Sequence, residues 1–268
     1  MVPLKSKKIK SAIHDSQNRT IGLLLVKCMR RAELKEVQYC YQDRRYFKQN
    51  FTPFDMEEYD KQIKRTLPFY EEMFQQVVDI VRILNLQSFR WLDVGCGTGK
   101  MARTVLDNFD IQKMVCIDVE NKMLERAESF CDDERVEFLQ CDVRELSYQE
   151  MFDIVTAIQV NHYFKKNERI SAIKNCYDCL AENGIYISFE NFAPDSKDGT
   201  RLYLERWRQF QIENGKTQEE ADLHIKRYGR NYFPIPISES VRLLKDCGFR
   251  MVEVLWLSYM QVGILARK

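Results

Sequence analysis

The stretch Trp91–Lys100, WLDVGCGTGK, decides the fold. A hydrophobic run closes on Asp93, and Gly95, Gly97 and Gly99 then alternate with other residues before a helical pattern opens at Lys100. Glycines let the backbone turn sharply and approach a ligand without interference from a Cβ atom. A pyrophosphate-binding turn has the spacing G-x-G-x-x-G, which sets the phosphates against a helix N-terminus. Here the sixth position is Lys100, so that spacing fails. A carboxylate beside the loop would repel pyrophosphate, whereas it suits a ligand that carries positive charge.

Outward from this turn, short apolar runs alternate with amphipathic stretches. Strands are predicted at Arg90–Val94, Met114–Asp118, Val136–Gln140, Ile154–Ile158 and Ile185–Glu190, with helices at Lys100–Asn108, Asn121–Phe130 and Glu168–Ala181 between them. That rhythm gives a parallel sheet with helices on both faces. Two last runs, Arg250–Leu257 and Met260–Ala266, are joined around Ser258 and Tyr259. So short a link forces them antiparallel, because a parallel crossover needs about a dozen residues. The predicted class is therefore α/β: a doubly wound, mostly parallel seven-stranded sheet with a C-terminal antiparallel hairpin. Helices precede it, including one from Tyr70 to Leu84 with apolar residues at helical spacing. Residues 191–237, polar and aromatic-rich, follow the fifth strand and so emerge at the carboxyl edge of the sheet, where open α/β folds bind ligands. They are read as a helical lid.

The chain has 268 residues, 41 basic and 40 acidic, for a net charge of +1. This excludes a global polyelectrolyte attraction to nucleic acid or membrane. Residues 1–50 are uneven, with twelve Lys and Arg against four Asp and Glu. Residues 1–53 are therefore read as a basic N-terminal extension, ahead of a catalytic domain over 54–268 that includes the lid. A solvated tail is the simplest reading of the extension; a nucleic-acid contact stays open without being favoured. The apolar run Ile21–Val26 is too short for a membrane span. The expectation is a soluble cytoplasmic protein, with a homodimer compatible. The nine cysteines sit mostly in apolar runs, as buried thiols do. The CxxC of Cys176 and Cys179 lies in a helical pattern without a second pair at zinc spacing, so packing is the reading. No metal constellation is expected.

The form D-x-G-x-G-x-G is the one used at S-adenosylmethionine sites, and three further stretches fit it. In MVCIDVENKML, Asp118 ends the second strand 23 residues after Gly95, which suits a carboxylate accepting both ribose hydroxyls, with Val119 and Met123 flanking adenine. In LQCDVREL, Asp142 can accept from the adenine amino group while Val143 offers a backbone N–H. In FDIVTAIQVNHYF, Gln159 to Tyr163 leave the fourth strand where the methyl group is presented.

At these residues the sequence resembles the class I methyltransferase superfamily over roughly residues 55–268. More narrowly, FDMEEYDKQIKRTLPFYEEM, HIKRYGRNYFPIPISESVRLLKDCGF and LWLSYMQVGILARK resemble the branch of carboxy-S-adenosylmethionine synthases and tRNA wobble-uridine methyltransferase-like proteins. That likeness implies that Arg65 and Tyr70 approach the cofactor. It also implies that an Arg in the segment of Lys226 and Arg227 handles a carboxylate on a modified cofactor.

Methyl transfer from a sulfonium needs the acceptor held in line at about 3 Å, with water excluded. A base helps if the acceptor is a hydroxyl or protonated nitrogen. His162 and Tyr163 are the catalytic candidates, against a half-buried histidine bonded to backbone and a packing tyrosine. Trp207, Arg227, Arg230 and Tyr232 of the lid, with Tyr259 of the hairpin turn, are the candidate acceptor contacts. The leading expectation is an S-adenosylmethionine-dependent methyltransferase acting on a small molecule. The alternatives are a carboxy-S-adenosylmethionine synthase-like enzyme and a non-catalytic S-adenosyl binder. A dinucleotide-dependent dehydrogenase is disfavoured by Lys100 and the hairpin.

Overall fold

The computed structural model describes residues 59–268; the basic extension and its boundary near residue 53 lie outside the described residues. Two helices, α1 (Tyr59–Thr66) and α2 (Tyr70–Leu84), precede the sheet. Then come β1 (Arg90–Val94), α3 (Lys100–Asn108), β2 (Lys113–Asp118), α4 (Asn121–Phe130), β3 (Val136–Gln140) and β4 (Phe152–Ile158). The chain continues as α5 (Lys166–Cys179), β5 (Leu180–Asn191), α6 (Lys197–Glu213), α7 (Gln218–Ile225), α8 (Ile237–Asp246), β6 (Met251–Ser258) and β7 (Gln261–Arg267).

The strand order is β3-β2-β1-β4-β5-β7-β6. The first five strands are parallel, and β7 runs antiparallel to both β5 and β6. Period-two alternation sends side chains of one strand into two cores. Leu92 and Val94 of β1 join Val115, Val155 and residues of α5 and α8 on one face. Trp91 faces the other side with Met114, Ile154 and residues of α2, α3 and α4. Order reverses between β1 and β4, and the crevice at their carboxyl ends is where this topology binds ligands.

The predicted elements are found, with shifts at their ends. Helix α5 begins at Lys166 and stops at Cys179 rather than running to Ala181, because Leu180 is extended and already pairs with Phe152. Its start is set by the Glu168 carboxylate, which accepts from the Lys165 N–H at 3.1 Å. The hairpin turns at Tyr259, whose φ of 49° supplies the left-handed residue a tight turn requires. Cys176 and Cys179 are fully buried free thiols inside the core.

The insertion at 191–237 is a packed roof. Trp207 of α6 is fully buried, and its indole N–H donates to the Thr66 carbonyl at 2.6 Å, tying α6 to the end of α1. Ile63, Leu67, Tyr232 and Met260 complete this third, smaller core. No helix among the described residues is long and apolar enough to cross a membrane.

Candidate active site

A cavity of about 1110 Å³, open mouth included, lies at the carboxyl ends of β1, β2 and β4 beneath the roof. The glycine turn forms its floor. Gly95, Gly97 and Gly99 have φ of 65°, 54° and 78°, all in the left-handed region. A Cβ at Gly95 would meet Val160 Cγ2 at 2.5 Å, so this glycine lets the loop pass under the strand β4 exit. A Cβ at Gly97 would meet nothing closer than the Tyr59 hydroxyl at 3.9 Å. Gly97 lines the cavity, so its bare Cα faces space a ligand can use.

Asp118, at the end of β2, accepts from the Gly97 N–H and the Glu120 N–H, each at 2.9 Å. Burial raises its pKa, against hydrogen bonds from the backbone of Glu120, Gly97 and Val119. Val119, Met123, Val143 and Gln159 also line the cavity. Gln159 is held at φ 61°, an uncommon conformation for a side-chain-bearing residue and one that tends to gather at functional sites. Asp142 reaches the cavity too, but Arg144 takes both its oxygens through Nε at 2.9 Å and a terminal N–H at 2.5 Å. The sequence expectation assigned this carboxylate to an adenine amino group alone; it is also the anchor of Arg144.

Asp93 and Tyr70 lie at a smaller adjoining hollow shared with Gly95, Gly97 and Gln159. A chain of hydrogen bonds leads to the carboxylate: the Trp91 indole donates to the Thr156 hydroxyl at 2.9 Å, which donates to Asp93 at 2.7 Å. Burial nonetheless pushes the Asp93 pKa up to about 7, helped by the charge of Asp118.

The opposite wall carries His162 and Tyr163, in the turn after β4. The His162 ring is buried, with Nδ1 3.0 Å from a Glu190 carboxylate oxygen. The same oxygen accepts from the His162 backbone N–H at 3.1 Å, and the other accepts from the Asn161 amide at 2.7 Å. An ionised carboxylate can only accept, so it places the proton on Nδ1 and leaves Nε2 as the basic nitrogen. The Asn191 N–H, at 3.5 Å from Nδ1, is the weaker contact. The reading of His162 as a backbone-bonded histidine thus gives way to a carboxylate-oriented one. Burial pushes the Tyr163 hydroxyl up to about 12, which keeps it protonated as a donor.

Of the remaining candidates, Trp207, Arg227 and Tyr232 line the cavity from the roof. Arg65, Arg230 and Tyr259 do not. Arg65 is exposed, with its Nε near Gly215 between α6 and α7. Arg230 is exposed beyond the roof. Tyr259 packs on Phe69, Phe210 and Arg206. Sequence reading missed Glu190, Tyr59 and His224. Glu190 had a signal, a lone carboxylate ending the apolar strand IYISFEN. Tyr59 and Ile63 stand one helical turn apart on α1, the apolar stripe of a polar helix.

Comparison with known proteins agrees with this geometry. Residues 92–184 match the family described as "Methyltransferase domain". The chain is 22% identical over 200 residues to carboxy-S-adenosyl-L-methionine synthase of Nautilia profundicola, covering 74% of this chain and 85% of that one. It is 25% identical over 218 residues to the protein of the same name from Helicobacter hepaticus, covering 78% and 90%. Among solved structures, the N-methyltransferase NodS of Bradyrhizobium japonicum, in complex with S-adenosyl-L-homocysteine, superposes with a TM-score of 0.53 at 15% identity, over 75% of this chain and 88% of that one. Domain match, relatives and strand order agree: residues 92–184 match a methyltransferase domain, the sheet has the fold of class I S-adenosylmethionine-dependent methyltransferases, and S-adenosylmethionine is the cofactor these likenesses support.

Proposed function

We propose that the protein transfers the methyl group of S-adenosylmethionine to a small-molecule acceptor whose proton is taken by His162. The carrying observation is the His162–Glu190 pair, set at 3.0 Å on the wall of the cavity that the glycine loop and Asp118 also line. The chain's own groups fit the cofactor. Gly97 leaves open space, and two carboxylates with raised pKa values, the buried Asp93 and the half-buried Asp118, face the hollows. Positive charge brought beside Asp93 relieves the cost of its ionisation. Asp118 offers carboxylate oxygens to a ribose, and Val119 and Met123 an apolar slot for a base.

When bound, S-adenosylmethionine supplies a methyl carbon already activated by its sulfonium. The protein's part is placement and one proton. Tyr163 and the roof hold the acceptor and exclude water. Nε2 of His162 accepts the proton that the acceptor atom loses on methylation, and Glu190 stabilises the imidazolium that results. Assaying release of S-adenosylhomocysteine against a panel of small acceptors, with mass spectrometry of the products, tests this. A product heavier by one methyl group supports it; tight cofactor binding with no transfer to any acceptor class would leave a non-catalytic binder.

A second reading has one observation in its favour: Arg227 on the cavity wall, in a chain whose curated relatives are named carboxy-S-adenosyl-L-methionine synthase. Native mass spectrometry of the purified protein separates the two. A co-purified species heavier than S-adenosylmethionine by a carboxyl group, lost in Arg227→Ala, would favour carboxyl transfer.

Two expectations concern the cofactor. Asp118→Ala is expected to weaken S-adenosylhomocysteine binding by about 1.5–3 kcal/mol, the scale of charged hydrogen bonds lost. Calorimetry reads this, and unchanged affinity in a folded variant would remove Asp118 from the ribose site. The second is a pH dependence. Asp93 has a folded pKa of about 7, above the unfolded value of roughly 3.9. Its contribution to stability is therefore full at pH below the unfolded value and lost as pH rises through about 7. The ionised form is the one an ammonium-bearing ligand relieves. Cofactor affinity should accordingly rise with pH through about 7, and Asp93→Asn should flatten that rise. An identical pH profile in the variant would assign the dependence elsewhere.

A further inference from the structure

A second, smaller hollow adjoins the His162–Glu190 pair, and Arg169, Glu190, Tyr186, Ser188 and Ser240 are among the residues that line it. Arg169, in the first turn of α5, is 4% exposed. Among the described residues it has no ion-pair partner; its guanidinium is given to three backbone carbonyls. Nε donates to the Asn161 carbonyl at 3.0 Å, and one terminal nitrogen donates to the Phe164 carbonyl at 3.1 Å and to the Phe233 carbonyl. A charge buried with no carboxylate bonded to it is costly, and oriented carbonyls are what make it tolerable.

The three acceptors share one place in the fold. Asn161 and Phe164 stand on either side of His162 and Tyr163 in a single turn. Phe233 belongs to the roof, and its own N–H donates to the His162 carbonyl at 2.6 Å. One guanidinium therefore ties both ends of the turn to the roof. The chain enters this turn from Gln159 at φ 61°, a conformation that persists only where the surroundings hold it.

The turn in its turn holds Glu190. The Asn161 N–H and side-chain amide donate to one carboxylate oxygen at 3.3 and 2.7 Å. The His162 N–H and Nδ1 meet the other at 3.1 and 3.0 Å. The Glu190 charge is felt by Arg169 and Cys176 of α5, by Tyr163 of the turn and by Tyr186 of β5. Of these groups Arg169 is the cation. Burial lowers its pKa, while Glu190 and then Glu239 of α8 act the other way. A guanidinium stays protonated in proteins, so the positive charge facing Glu190 is permanent.

We propose that Arg169 is the positioning residue of the base: by bracketing the turn against the roof, it keeps Glu190 on Nδ1 of His162 and leaves Nε2 for the acceptor's proton. The proposal rests on the reading of His162 as the base. Arg169 does not line the larger cavity, so it acts through the turn and touches neither cofactor nor acceptor.

The test uses the full chain saturated with S-adenosylhomocysteine and labelled with ¹⁵N at histidine and arginine. In the wild type His162 should show the Nδ1–H tautomer alone. The Arg169 Nε–H should exchange with water far more slowly than that of the exposed Arg230. In Arg169→Gln the two His162 tautomers should mix while S-adenosylhomocysteine still binds. Turnover of an acceptor methylated in the panel assay should then fall about 10²-fold, the scale for a reacting group misplaced by about 1 Å. Arg169→Lys keeps a charge without the planar fork and should recover part of both losses. A single Nδ1–H tautomer in folded Arg169→Gln would overturn the proposal. So would loss of S-adenosylhomocysteine binding in that variant, which marks a general structural role. If neither variant folds, the wild type decides: fast exchange at the Arg169 Nε–H, or His162 in the Nε2–H form, would overturn it. The tautomer and exchange readouts need no turnover, so a chain that transfers no methyl group defeats the reading of the base without hiding the outcome for Arg169.

Discussion

Replacing His162 with Asn is expected to lower methyl transfer by about 10²–10⁴-fold, the usual contribution of a positioned general base. Binding of S-adenosylhomocysteine should change little, because no group of His162 meets the glycine loop or Asp118 in the hydrogen-bond network. Asn preserves polarity and much of the ring's width, so the Glu190 carboxylate keeps a donor nearby. Glu190→Gln is the companion. Gln can donate as well as accept, which removes the preference for the proton on Nδ1, so turnover should again fall while the fold persists. The measurement is the rate of S-adenosylhomocysteine release under saturating cofactor, beside calorimetric affinity. A near-wild-type rate in His162→Asn would show that the acceptor needs no base here and return His162 to a packing role.

Gly97→Val is expected to abolish cofactor binding. Two effects add. The residue sits at φ 54°, where a β-branched side chain is strained. Its Cβ would also enter open space beneath Tyr59, whose hydroxyl is the nearest atom at 3.9 Å. The strain costs about 1–3 kcal/mol, which a domain of this size registers as a few degrees in melting temperature. Gly97→Ala separates the two effects: it carries most of the φ penalty with less bulk, and should weaken binding without ending it. A valine variant that still binds S-adenosylhomocysteine would mean that the loop does not cradle the ligand.

Much of the fold was legible because its signals are local. Strand β1 carrying Asp93 and ending at Val94, the alternating glycines and a helix opening at Lys100 follow one another directly in the chain, and a short link at Ser258–Tyr259 leaves only an antiparallel solution. The cavity wall beside the glycine turn was legible for the same reason, since Gly97, Asp118, Val119 and Met123 lie at or within a few residues of the ends of β1 and β2. The roof side of the cavity was harder. Which faces of α6 and α7 turn inward depends on how the roof docks on α1, through contacts such as Trp207 to Thr66, 141 residues apart in sequence. Arg227 and Tyr232 therefore line the cavity while Arg230, three residues from Arg227, is exposed. Arg65 shows the same limit on α1, where Ile63 and Thr66 face inward and Arg65 between them does not. Glu190 escaped because its partner His162 comes from a different strand end; 28 residues separate the pair.

One cavity joining the cofactor to His162 would be visible in a crystal structure of the complex with S-adenosylhomocysteine. Ribose hydroxyls are expected on the Asp118 carboxylate, the base between Val119 and Met123, and the sulfur turned toward the wall that carries His162 and Tyr163. A complex with the ribose away from Asp118, or with the sulfur facing away from His162, would contradict it.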